Sequence, residues 1–595
     1  MRLPRRRVVA LAAAAAALAA TPSALAVKGK PHTKRLVNLD LLAINDFHGQ
    51  LEKVPATSSS GRINTTPAGG AEYLATHLDR LRAEARARGA STLTVGAGDL
   101  IGATPLLSAA FHDEPTIEAM NLMKLDVASV GNHEFDEGYR ELQRMQYGGC
   151  LPDGEGADNQ NSCPDPAAPF AGADFRYLAA NTFYSGSRRT VLPPYTVKSV
   201  RGVKVGFIGV TLEDTPNIVT KAGIQGLTFT DEVETINALV PELRRRKVQA
   251  IVVLMHEGGV PADATQYDGC AGVTGPGIEI AKQVSPAVDV VITGHTHQAY
   301  NCVVSDPAGN PRRVTSASSA GRLVTSIQLQ LDPRTKDVVR PSVLARNVIV
   351  TNADVTPRAD ITALIEKYRV LVAPIANRVL GRVAPVDAVN SVSRANDADG
   401  ESPLGNLIAD AQRADASAVP AGGRKVQITF MNPGGIRADL LEDASGNVTF
   451  GAAFTVQPFN NYVVSKTLTG QQVLDVLNEQ WNGRNETANK ILQVSGLTYT
   501  WSKAAAAGTG DAVRPGSVMV DADADPATPM VALDPAASYR VSMNSFLSDG
   551  GDGFATLAAG TDKYYGGLDI DSLATYLAAN DPYTPGPTDR ITATP

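Results

Sequence analysis

Short apolar runs recur through the first half of the chain, separated by amphipathic stretches. The runs are VNLDLLAI (37–44), STLTVGA (91–97), DVASVG (126–131), VKVGFIGV (203–210), QAIVVLM (249–255) and VDVVITG (288–294). Several are continuous rather than alternating, which predicts strands buried on both faces in an α/β sandwich. Helices are predicted between them at AEYLATHLDRLRAEARARG (71–89) and DEVETINALVPELRRRK (231–247). The second opens with acids and closes with bases, which suits a helix dipole at both ends. Another helix is predicted over ITALIEKYRVLVAPIANRVL (361–380), with Pro374 breaking or kinking it. The domain junction is placed there, giving a first domain over 37–347, a linker with a helix over 348–380 and a second domain over 381–595. The second mixes strands (VQITFM, 426–431; YRVSMNSF, 539–546), a helix at LGNLIADAQRADA (404–416) and Gly/Asp-rich loops, an α+β pattern.

A chain of 595 residues exceeds one hydrophobic core, which agrees with two domains. The net charge of -7 and the lack of a long basic run past the N-terminus argue against a dedicated grip on long nucleic acids. Small phosphorylated ligands stay open, because bound metal ions can supply positive charge. Residues 1–26 read as an export signal: Arg5, Arg6 and Arg7, an Ala/Leu-rich run, then Ala24-Leu25-Ala26 at the cleavage site. The secretory and twin-arginine routes both suit it. No later stretch is apolar and long enough to span a bilayer, so the mature protein is expected outside the cytoplasm without a stable membrane anchor. The four cysteines fit that compartment, and proximity in sequence predicts the pairs Cys150–Cys163 and Cys270–Cys302 among three possible pairings.

The ligand-type residues fall at the strand exits. Asp46 and His48 follow the first run, Asp99 the second and Asn132 the third; His256 follows the fifth, and His295 and His297 the sixth. Five of the eight histidines (His48, His133, His256, His295, His297) sit in these exits, which would bring them to one rim of a sheet. Imidazole with carboxylate suits zinc, manganese, iron or cobalt. Asp99 is the candidate bridge, because a carboxylate can hold two cations at the roughly 3.5–4 Å spacing of two-metal hydrolases. Glu134 reads as a capping or solvated acid, and His32, His77 and His112 as surface residues. Ser402 lacks a G-x-S-x-G setting, so water is favoured over a covalent nucleophile.

DFHG, GDL, GNHEFDEG, the histidine after QAIVVLM and GHTH resemble the calcineurin-like metallophosphoesterases, and within them the secreted or periplasmic 5′-nucleotidases. The resemblance implies one metal on Asp46, His48, Asp99 and His297, and another on Asp99, Asn132, His256 and His295. It also implies a dyad in which Asp136 orients His133, which stabilises the transition state or protonates the leaving oxygen.

In the second domain NPGGIR (432–437), QPFNNY (457–462) and NSFLSDGGDGF (544–554) supply Asn432, Arg437, Phe459, Phe546 and Asp552. Two rings can sandwich a base, an arginine fork suits phosphate and a carboxylate can accept ribose hydroxyls. These segments resemble the 5′-nucleotidase C-terminal domain, which implies those roles. The chain departs from some relatives before the 404–416 helix, where only Arg394 stands in place of two arginines. The expected activity is release of phosphate from nucleoside 5′-monophosphates, extending to di- and triphosphates or UDP-sugars. The alternatives are a 2′,3′-cyclic-nucleotide or general phosphodiesterase on the same metals, and a catalytically idle nucleotide-binding protein.

Overall fold

A computed structural model describes residues 35–595 apart from 153–160, 166, 222, 385–390, 487–489, 508–510, 515 and 526. The expected export signal and His32 lie outside the described residues. The apolar runs form the strands read from them, including Val37–Ile44, Ser91–Ala97, Val203–Thr211, Ala250–His256 and Val290–Thr293. They assemble into two sheets. In one, Val37–Ile44, Ser91–Ala97, Val127–Ser129 and Arg176–Leu178 run parallel in that order, with Leu323–Asp332 antiparallel beside the first. In the other, Val203–Thr211, Ala250–His256, Val290–Thr293 and Pro311–Ala317 are parallel, with an antiparallel strand at each edge.

Period-two alternation decides which side chains meet between the sheets. Leu39, Leu41 and Ala43 pack against Val205, Phe207, Val252 and Leu254, whereas Leu42 and Ile44 point to the helices on the outer face. This is the layered α/β sandwich expected. Helices run over Ala71–Ala87 and Glu232–Arg245, the latter capped by the Asp231 side chain on the Glu234 amide.

The helix expected over 361–380 spans Ala359–Ala376. Pro374 lies inside its last turn, and the chain leaves the helix two residues later. Its buried face (Ile361, Leu364, Ile365, Tyr368, Val372) joins one apolar cluster that also holds Leu74 and Leu107 on one side and Phe450 and Phe454 on the other. Beyond it, Gln493–Ser495, Ile428–Met431, Ser538–Asn544, Tyr462–Thr469 and Thr561–Leu568 form a five-stranded sheet, with a smaller four-stranded sheet nearby. No described helix is long and apolar enough to cross a membrane.

Both predicted disulfides form, Cys150–Cys163 and Cys270–Cys302. Two surface assignments need correction. His77 is buried, with Nε2 2.9 Å from the Thr351 carbonyl. His112 is buried as well, its Nδ1 2.6 Å from Glu137 Oε2. Single-residue reasoning could not see either, because each is covered by segments distant in sequence.

Asp569 opens the Asp569–Ala579 helix, and its Oδ1 is buried without a hydrogen-bond partner among the described residues. Burial pushes this carboxyl from the ordinary 3.8 up to about 8. The fold therefore holds a proton that the unfolded chain releases above pH ~4, so this group's stabilising contribution is lost as pH rises through about 8. Asp569→Asn, which binds no proton, is expected to flatten the decline of Tm between pH 5 and 8. An unchanged slope by scanning calorimetry would remove Asp569 from the account.

Candidate functional site

Parallel pairing brings the strand exits level. Ile44 lies opposite Gly96, Ala97 opposite Ser129 and Met255 opposite Thr293, so the residues that follow emerge on one rim. The chain must then turn sharply. Asp46, His48, Asp99, His295 and His297 all take positive φ, between 48° and 71°. L-residues resist that conformation by about 1–2 kcal/mol each, and such strain gathers at functional sites. Two glycines clear the space. A Cβ on Gly131 would lie 2.2 Å from Asp99 Oδ1, and one on Gly98 2.4 Å from His256 Nδ1.

The seven predicted ligands come together as two groups. Asp46, His48 and His297 form one, and Asp99, His256 and His295 the other, with donor atoms within 4.8 Å of one another in each. Asn132 joins the second, its Oδ1 3.2 Å from His295 Nδ1. Asp99 approaches both groups, since its Oδ2 lies 2.9 Å from His256 Nε2 and 3.7 Å from His48 Nε2.

Several features fit divalent cations. His48 Nε2 and His297 Nε2 converge to 3.0 Å. His256 Nε2 is buried and near Asp99, yet makes no aligned hydrogen bond among the described residues. Burial pushes His48 and His295 down to about 3, so both rings are neutral at pH 7, the form that binds a metal. Their neighbours fix the rings: His48 Nδ1 meets the Gly102 carbonyl at 2.8 Å, and His256 Nδ1 that of Ala97 at 2.8 Å.

Around the ligands lies a supporting layer only partly legible beforehand. Asn45 Nδ2 holds Asp46 Oδ2 at 2.6 Å, and the His295 amide donates to the same carboxylate at 2.9 and 3.0 Å. Glu134 is buried rather than solvated. It caps backbone, accepting from the amides of Asp99 at 2.9 Å, Leu100 at 2.8 Å and Gly131, and so pins both glycine-bearing turns.

The two residues expected as a dyad lie side by side. His133 Nδ1 lies 2.8 Å from Asp136 Oδ2, and the His133 amide donates to Asp99 Oδ1 at 2.9 Å. Burial by itself would lower the His133 pKa, but Asp136 and then Asp99 outweigh it and raise the group above its ordinary value.

A cavity of about 150 Å³ opens from this edge into the second domain, lined by His133, His295, Arg437, Phe459, Phe546 and Asp552 among others. Phe459 stacks on His133 with centroids 5.7 Å apart, and the Arg437 guanidinium lies 5.7 Å from the Phe459 centroid. Phe546 rests on Gly551, where a Cβ would lie 2.5 Å from the ring. Asn432 is committed within the protein, donating to Asp552 Oδ2 at 2.8 Å and accepting from Asn544 at 2.8 Å. The sequence reading missed Lys490, whose Nζ meets Asp552 Oδ1 at 2.8 Å. It also missed Ile218, Val219 and Thr220, which bring a first-domain wall to this cavity. None of these carries a local motif. Arg394 lies apart from this pocket. Its side chain donates to the Ile436 carbonyl at 3.1 Å and lines a different cavity, together with His48, His297 and Arg437.

Residues 39–299 match the calcineurin-like phosphoesterase family, and residues 379–559 match the 5′-nucleotidase C-terminal domain. The chain thus belongs to the calcineurin-like phosphoesterases, a class of metal-dependent phosphoester hydrolases. Within that class it is a member of the 5′-nucleotidase family, which joins these two parts in one chain. It is 35% identical over 540 residues to a cell wall protein of Listeria monocytogenes, covering 87% of this chain and 64% of that one. It is 32% identical over 515 residues to an endonuclease of Bacillus subtilis, covering 86% of this chain but only 37% of the relative. The chain therefore spans less than two thirds of either relative's length. Among solved structures, a 5′-nucleotidase precursor from Thermus thermophilus superposes with a TM-score of 0.72 at 26% identity, over 93% of this chain and 99% of that one.

Proposed function

We propose that this protein acts outside the cytoplasm, releasing phosphate from nucleoside 5′-monophosphates by attack of water. The observation that carries this reading is the meeting of two ligand groups at Asp99, beside the His133–Asp136 pair and at the mouth of the Phe459/Phe546 cavity. The donor set suits one cation on Asp46, His48, Asp99 and His297 and a second on Asp99, Asn132, His256 and His295. Bound there, they would supply charge neutralisation and an activated water.

The chain's own groups do the rest. Phe459 and Phe546 hold the base, which favours stacking over base-specific hydrogen bonds. Asp552, fixed by Asn432 and Lys490, meets the ribose. Among the described residues the Arg437 guanidinium donates weakly to the Gly434 carbonyl at 3.4 Å, which leaves donors for phosphate. His133, its proton retained by Asp136, faces the leaving oxygen. The Bacillus relative's description as an endonuclease favours a second reading, cleavage of diesters at the same centre.

The test is turnover by the mature protein, stripped of metal and resupplied with manganese or zinc, read as phosphate release from 5′-AMP and as nitrophenol colour from bis-p-nitrophenyl phosphate. Metal-dependent turnover led by 5′-AMP is expected. Turnover led by the diester would move the assignment to a phosphodiesterase. Silence on both, with AMP still bound, would replace the enzyme with a binding protein.

A further inference from the structure

Between the helices Leu106–Ala109 and Glu114–Leu122, two consecutive residues, His112 and Asp113, take positive φ of 50° and 60°. Asp113 occupies the N-cap position of the second helix, where a carboxylate ordinarily accepts from the first free amides. Its side chain makes no such bond. Instead Oδ1 accepts from Ser108 Oγ at 2.6 Å, and Oδ2 from the Gly102 amide at 3.0 Å. Burial pushes this carboxyl from the ordinary 3.8 up to about 6, against the pull of the Ser108 hydroxyl and the Gly102 amide. Asp113 thus gives up a helix cap, takes a strained backbone and buries a charge. Such costs gather where geometry serves function.

Gly102 is what those costs hold in place. Its carbonyl meets His48 Nδ1 at 2.8 Å. A carbonyl oxygen can only accept, so Nδ1 carries the ring proton. Nε2 is left with its lone pair, on the side where His297 Nε2 lies 3.0 Å away. The other flank of Gly102 is pressed against the dyad. At its φ of 81°, a Cβ would lie 2.3 Å from the His133 carbonyl oxygen and 2.9 Å from Asp136 Oδ2. One glycine therefore touches both a candidate metal ligand and the acid pair, with no side chain of its own to fix it. His112 braces the same region from the other end, its Nδ1 2.6 Å from Oε2 of Glu137, which directly follows Asp136.

We propose that Asp113 is a positioning residue for the hydrolysis: by holding the Gly102 amide it sets where His48 presents Nε2 and where His133 and Asp136 stand. This rests on the reading of His48 as a metal ligand and of His133 and Asp136 as the acid pair. Asp113 lies behind the Gly102 turn and acts only through it. A peptide released from its acceptor shifts, and a misplacement of about 1 Å can cost roughly 10²-fold in rate. Groups that orient a ligating histidine are worth about 10–100-fold in metal affinity or activity. Neither Asp113 nor Gly102 lines the cavity of Phe459 and Phe546, so the nucleoside should bind as before.

Two substitutions at this position separate placement from stability. Asp113→Asn keeps an oxygen for the Gly102 amide and tolerates positive φ. Its new N–H can pair with Ser108 Oγ, which shares a 2.6 Å hydrogen bond with Thr116 Oγ1 in either sense. Asp113→Gly removes both oxygens while suiting the positive φ, so it should fold. Manganese affinity is measured by titrating the metal-free proteins, and kcat and KM on 5′-AMP at saturating manganese, all below the melting temperatures. Asp113→Gly is expected to lose about tenfold or more in kcat and about tenfold in manganese affinity, with KM within about twofold. Asp113→Asn is expected within about threefold of the parent in all three. A Gly variant that melts lower yet keeps parental kcat and manganese affinity would make Asp113 structural only. An Asn variant as impaired as the Gly variant would show that the charge, not the bond to Gly102, is at work, and would also overturn the proposal. So would a change confined to KM. A parent without manganese-dependent turnover would instead remove the reading of the metal site on which the proposal rests.

Discussion

Asp99→Asn is expected to reduce phosphate release on the order of 10³-fold or more and to lower bound metal below that of the parent, for which about two ions per chain are expected. Asp99 approaches both ligand groups, with Oδ2 2.9 Å from His256 Nε2 and 3.7 Å from His48 Nε2. Asparagine keeps its shape and the oxygen that accepts the His133 amide. It removes the negative charge that two cations would share. Burial by itself would raise the Asp99 carboxyl, but His256 and then His133 outweigh it and hold it well below its ordinary range, so loss of the charge is expected to lower Tm as well, and metal content and turnover are both measured below the variant's melting temperature. Elemental analysis alongside kinetics decides the matter. Parental metal content with parental turnover would show that Asp99 is not the bridge.

His133→Ala should separate chemistry from metal binding. A general acid contributes about 10²–10⁴-fold, so kcat should fall within that range while metal content stays at the parental level. Asp136→Asn should give a smaller loss, and the double variant should be little worse than His133→Ala, because the two residues act through one proton. The pH profile adds a sign. Asp136 and Asp99 together raise the His133 pKa against the opposing effect of burial. Activity that needs protonated His133 declines as pH rises through that value. Removing the Asp136 charge should therefore shift the alkaline limb of kcat to lower pH. A limb that stays in place would deny His133 the role of acid, and metal loss in His133→Ala would make it structural.

Much of the first domain was legible in the sequence because its strands are buried on both faces. Continuous apolar runs such as QAIVVLM need no partner to be recognised, and their ends mark where ligands emerge. Five histidines at those ends marked the candidate site without a contact map. The pairing of cysteines by proximity also held. Glu134 was only half legible: its capping role followed from acid chemistry beside a turn, but its burial depended on how the Asp99 and Gly131 turns close over it. His77 and His112 read as surface residues because neither sits in a strand exit that would give a histidine a role. Thr351 and Glu137, which hold them, are brought near only by folding. Lys490 escaped notice for the same reason, since its partner Asp552 lies 62 residues away.

The sequence by itself determined the α/β layering, the ligand types and their order along the chain, because hydrophobic period and donor chemistry are local properties. Only the tertiary structure decided how those ligands divide, through parallel registers that level the strand exits and positive-φ turns that aim Asp46, His48, Asp99, His295 and His297 inward. It alone joined Arg322 to Arg394 and Arg437 around one cavity. Charge compensation in a buried site depends on distances through space, and spacing along a chain does not encode them.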